Sequence, residues 1–194
     1  MQGMIISNPK LEFLRPMLER WFDCIDRYNR VRGDNKAPYW SDERANLGLL
    51  SAAAWMAEMV TLEHAPTKKQ LENGERNARA DLYIASKDEW AYVQASQRWP
   101  QINHLNLEQA LLDITSAARR ISYPSDLKLG CLFVAPQKTQ HSATPEELQD
   151  MVDDLQKEYS CAVAWYFPYA YRKLRNEAGN YQPGIAVLFK EARG

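Results

Sequence analysis

Cysteine, glycine and histidine are all scarce in this 194-residue chain, and each scarcity removes a class of function. Three cysteines, Cys24, Cys131 and Cys161, are too few and too scattered for a disulfide framework, and none has a C-x-x-C partner. Eight glycines form neither G-x-G-x-x-G nor the P-loop pattern, which argues against nucleotide binding by those routes. No G-x-S-x-G elbow occurs either. His64, His104 and His141 lack a second ligand at helical spacing, so a histidine-based metal site is not expected. No apolar run approaches the roughly 18 residues that cross a bilayer. Met1 to Lys10 lacks the basic-then-apolar build of a signal peptide. An excess of one charge is missing too, since 24 Lys and Arg face 25 Asp and Glu. Without a global field, nucleic acid or anionic lipid binds only through a local patch. Together these absences predict a soluble, cytoplasmic protein with no membrane contact.

The composition that remains, 45% hydrophobic and 25% charged, is that of a globular protein, and the length suits one domain. Asn8-Pro9 opens a first helix on which Leu11, Leu14, Met17, Leu18, Trp21, Phe22 and Ile25 recur at helical spacing. Pro16 kinks that helix or marks its true start, and Gly33 ends it. Ser41 caps a second helix with Asp42 and Glu43 in its first turn. Met59 to His64 either finishes this helix or forms a short strand, the strand being preferred, and the polar stretch Pro66 to Arg79 reads as a loop or short helix. Ala80 to Ala85 and Glu89 to Ala95 form a hairpin across Ser86-Lys87-Asp88. A third helix follows Asn106, and Thr144-Pro145-Glu146-Glu147 opens a fourth. Leu127 to Ala135, Ala162 to Phe167 and Ile185 to Phe189 are the remaining strands. The strand-helix-strand run from Leu127 to Phe167 predicts a parallel pair. The expected fold class is mixed α/β, a sheet of about five or six strands flanked by helices. Its expected parts are an N-terminal helical extension (1–40), a core (41–135) and C-terminal additions (136–194).

Chemistry concentrates on the predicted hairpin. Gln94 and Ser96 share a face because strand side chains alternate. With Asp81 on the adjoining strand, and Glu43 from the preceding helix, they are expected to converge on one spot. This succession, a helix with Glu43, a short strand, Arg79-Ala80-Asp81-Leu82-Tyr83-Ile84, a second strand, a helix and a strand, resembles the PD-(D/E)XK nuclease superfamily. The resemblance covers residues 41 to 135, about half the chain, and implies a restriction-endonuclease-like fold. It implies that Asp81 stands for the first acid, Gln94 for the second, Ser96 for the lysine and Glu43 for a helix acid. It further implies Mg²⁺ or Mn²⁺ held by Glu43, Asp81 and Gln94 for phosphodiester hydrolysis. Two of the three motif positions depart from that pattern. Gln94 offers only a neutral carbonyl to a hard cation, and Ser96 carries no charge. Weak or absent cleavage is therefore expected, in a degenerate module that binds nucleic acid or protein.

Basic residues nominate where nucleic acid would bind. Arg76 and Arg79 flank Asp81 in sequence. Trp165 to Arg175 mixes aromatics with Arg172, Lys173 and Arg175, and so pairs stacking surfaces with phosphate partners. The simpler reading of that segment puts Trp165 and Phe167 in the core of a strand, with the cations on a solvated face. An interaction subunit with no nucleic-acid role is the alternative, drawn from the near-zero net charge and six tryptophans.

Overall fold

The computed structural model describes residues 1–33, 36–122, 127–158 and 161–192. In chain order it runs β1 (Gln2–Ile6), α1 (Arg15–Arg32), α2 (Glu43–Met56), β2 (Val60–Leu71), β3 (Gly74–Ala85), β4 (Trp90–Arg98) and α3 (Glu108–Arg119). It ends with β5 (Leu127–Val134), α4 (Pro145–Glu158), β6 (Ala162–Tyr166) and β7 (Ile185–Glu191). Among the described residues, seven strands form one mixed sheet in the order β1-β6-β7-β5-β4-β3-β2. The mixed α/β class is as expected, and the strand number is higher because Gln2–Ile6 joins the sheet antiparallel to β6.

Two helices cover each face. Trp21, Leu50, Leu82, Val93, Cys131 and Phe189 meet in the core beneath α1 and α2. Leu111, Leu132, Met151, Val163 and Leu188 meet in the core beneath α3 and α4. Alternate residues of β5 serve the two cores, Cys131 and Phe133 one, Leu132 and Val134 the other. A strand buried on both faces reads as the continuous apolar run seen in residues 129–134.

Local signals place the helix ends. Pro16 sits in the first turn of α1, which follows a 3-10 turn over Pro9–Leu14, so Pro16 marks the true start. At α2 the cap is Asp42 rather than Ser41, because the Asp42 carboxylate accepts the Ala45 amide at 3.2 Å. Through α3, β4 and β5 pair in parallel. β5 and β6 both run antiparallel to β7, so they are parallel to each other with β7 between them.

Residues 66–79 are not a loop or helix. β2 and β3 pair from Val60↔Ala85 out to Leu71↔Gly74, closing over Glu72-Asn73 with Gly74 at φ +111°. The outer arm is exposed along much of both faces, so it carries polar side chains without the alternation that marks a half-buried strand. Its outer end, near the turn, is clipped to the end of α3. The Gln70 amide donates to the Arg120 carbonyl at 2.7 Å, and the Ser122 amide to the Lys68 carbonyl at 2.8 Å.

Candidate functional site

Asp81 lies where β3 and β4 part. Leu82↔Val93 is the last pair of that ladder, and one Asp81 carboxylate oxygen accepts the Ala95 amide at 2.8 Å. The side chain thus takes up a backbone donor that the splayed strands no longer satisfy. Side-chain alternation slips by one residue at the same point. Ala80 packs with Tyr83, Tyr92 and Ile121 on the α3 side, while Leu82 belongs to the α1–α2 core. Opposite Asp81 on β2, His64 adopts a left-handed backbone (φ 52°), a conformation that side chains other than glycine rarely hold. The slip turns Asp81 towards the start of α2.

Glu43, in the first turn of α2, meets it there. Its half-buried carboxyl is pushed up to about 7, first by burial and then by the negative charges of Asp81 and Asp42, against Arg44 and Arg98. The neighbouring Cys131 thiol is raised well above its usual range, by burial first and then by Glu43 and Asp81. It is therefore held as a neutral thiol, unsuited to nucleophilic chemistry.

Gln94 and Ser96 do not join them. Val93 and Ala95 pack on the α1–α2 core, whereas Tyr92 packs on the α3 side, so Gln94 and Ser96 point to that opposite face. Gln94 is buried there, its Oε1 accepting from Lys69 Nζ at 2.7 Å. Ser96 Oγ accepts from Arg98 at 2.7 Å. The structure brings together Glu43 and Asp81 and separates both from Gln94 and Ser96.

On the acid face the strand presents Ala95 and Gln97 instead. Gln97 is buried, accepts from Asn46 Nδ2 at 2.7 Å and donates to the Ser41 carbonyl at 2.9 Å. These bonds fasten the start of α2, and with it Glu43, to β4. Sequence reasoning missed Gln97 and Asn46, although a glutamine two residues beyond Ala95 on a buried strand marks the pattern.

Mg²⁺ or Mn²⁺ fits this arrangement poorly. Only two carboxylates come near each other, and one oxygen of Asp81 is already taken by the Ala95 amide. Among the described residues no group of three or more His, Cys, Asp or Glu side chains is placed to hold a metal ion. Gln94 is bonded to Lys69, away from the acid pair.

The basic candidates fall in two places. Arg76 and Arg79 lie on the exposed outer arm of β3, opposite Lys69 and Pro66. Arg172, Lys173 and Arg175 follow β6, which β7, β5 and β4 separate from β3. Arg175 is occupied structurally, donating to the Gly179 carbonyl at 2.8 Å and stacking 4.3 Å from the Tyr181 ring centroid. Among the described residues no helix is long and apolar enough to cross a membrane. No protein-family model matches the chain, and no curated protein or solved structure matches it either.

Proposed function

We propose that this chain is a restriction-endonuclease-like domain that does not cut and instead serves, inside the cell, as a nucleic-acid-associated binding module. The element order α2-β2-β3-β4-α3-β5, with β4 and β5 parallel, supports the first half, because it is the succession that the resemblance implies for residues 41–135. The observation that carries the reading is the split of the site. Glu43 and Asp81 meet on one face while Gln94 and Ser96 lie on the other. A two-carboxylate remnant does not offer a divalent cation the oxygen cage that phosphodiester hydrolysis needs. Binding then falls to local cations, of which Arg76 and Arg79 stand exposed on the outer half of β3.

Retention on DNA resin tests this directly. The protein is expected to elute with a steep salt dependence, and Arg76→Ala and Arg79→Ala each to lower the logarithmic salt slope by about 1. Salt-insensitive passage through the resin would count against the reading.

A second reading, a protein-interaction subunit, is favoured by apolar side chains around the free edge of the sheet. Trp55 is 60% exposed, Leu62 53% and Trp90 43%. Exposed apolar surface rimmed by polar residues marks protein contacts. Under that reading Trp55→Ser abolishes self-association or partner capture and leaves DNA retention untouched.

A further inference from the structure

We propose that the cavity between residues 142–145 and the Tyr169–Lys173 segment binds the 5′-phosphate end of a nucleic-acid strand. The phosphate sits on Arg172 and Lys173, and the first base stacks on Tyr169. The inference takes its ligand class from the nucleic-acid reading above, but its site lies beyond β6, away from the Glu43–Asp81 pair.

The cavity has a volume of about 310 Å³ and is lined by Ser142, Thr144, Tyr169, Arg172 and Lys173 among others. That is room for a nucleotide, well beyond a lone carboxylate. Arg172 holds its guanidinium 5.8 Å from the Tyr169 ring centroid, and its Nε is buried with no hydrogen-bond partner. A buried donor without an acceptor is costly, and a ligand oxygen would satisfy it. Tyr169 is 77% exposed, an aromatic face held beside a cation at the edge of the cavity. Exposed aromatics stack bases of any sequence, and Arg with Lys binds phosphate. A terminal phosphate monoester carries up to about two negative charges, against one on each internal diester, and so is better matched to a paired Arg and Lys.

Acidic neighbours sharpen the case. Glu147 is occupied by Lys138 and by the Thr144 amide at the start of α4. Glu146 is fully exposed, its carboxyl lowered by hydrogen bonds from its own amide and from Thr144 and then by the charge of Arg172. Glu146 is thus an anion within electrostatic reach of Arg172, and an incoming phosphate competes with it.

The test is fluorescence anisotropy with a short 3′-labelled oligothymidylate, with and without a 5′ phosphate. The phosphorylated strand is expected to bind about 10-fold more tightly. Lys173→Ala removes that preference, and Tyr169→Ala weakens both strands about 5-fold or more. Both residues are exposed, so neither change threatens the fold. Glu146→Gln is expected to tighten the phosphorylated strand several-fold. Equal affinity for the two strands overturns this site while leaving the arm as the binding surface. A preference that survives Lys173→Ala, or equal competition by polyglutamate, overturns it too. Binding of neither strand removes both this site and the nucleic-acid reading.

Discussion

Glu43→Gln is expected to stabilise the protein by about 2 kcal/mol at pH 8 and to change little at pH 4. The Glu43 carboxyl is pushed up to about 7 from the ordinary 4.5, so the folded state binds this proton more tightly than the unfolded chain. Its favourable contribution is therefore complete below about pH 4.5 and is lost as pH rises through 7. The full shift corresponds to about 3 kcal/mol, and partial exposure of the side chain reduces it. Glutamine keeps the shape without the charge, so the variant escapes the loss. Urea unfolding at several pH values from 4 to 8 measures this. The two proteins should diverge only above about pH 5, and parallel profiles would mean that Glu43 is not held beside Asp81 in a partly buried site. Asp81→Asn is expected to bring the Glu43 carboxyl down, because it removes the second largest cause of the shift.

Gln97→Ala is expected to cost about 3 kcal/mol, whereas Ser96→Ala one position away costs under about 0.5. Gln97 is buried and joins Asn46 and the Ser41 carbonyl. Removing it takes one acceptor from buried Asn46 and a donor from the Tyr39 and Ser41 carbonyls, and opens a void at the α2–β4 junction. Ser96, by contrast, is only partly buried and bonds an exposed arginine. Urea midpoints for the two variants report the difference. Similar costs at both positions would contradict the assignment of faces along β4. Because Gln97 anchors the start of α2, its loss should also move the Glu43 titration, which carboxyl ¹³C shifts follow.

Much of the fold was legible in the sequence, for reasons that particular residues show. Pro16 and Pro145 stand in the first turns of their helices, and the stretch 129–134 reads as apolar because both of its faces are buried. β1 was not foreseen. It is five residues at the sheet margin, only partly covered, so neither alternation nor a long apolar run marks it. The β2–β3 arm escaped for a related reason, since exposed strand pairing is stabilised by its backbone ladder more than by apolar burial.

The candidate site was half legible. Glu43 was identifiable as an acid in the first turn of a helix and Asp81 as an acid on the neighbouring strand, and the charge of Asp81 is felt at the Glu43 carboxyl. Their convergence with Gln94 and Ser96 was expected from simple alternation on two paired strands. Alternation slips at Asp81, where an acid side chain replaces a ladder bond and His64 across from it turns left-handed. A one-residue slip exchanges faces for everything beyond it, and nothing in a string of letters marks where it occurs. The separation of Gln94 from Asp81 follows from that slip, whereas Gln97 reaches the acid face by plain alternation after Val93 and Ala95.

Cleavage of plasmid and single-stranded DNA in Mg²⁺ or Mn²⁺, beside an Asp81→Ala control, tests the central claim most directly. The account predicts no cutting by either protein, with both folded and the native chain still binding DNA. Metal-dependent cutting by the native chain that vanishes in Asp81→Ala would contradict it, and would make Glu43 and Asp81 a working metal centre.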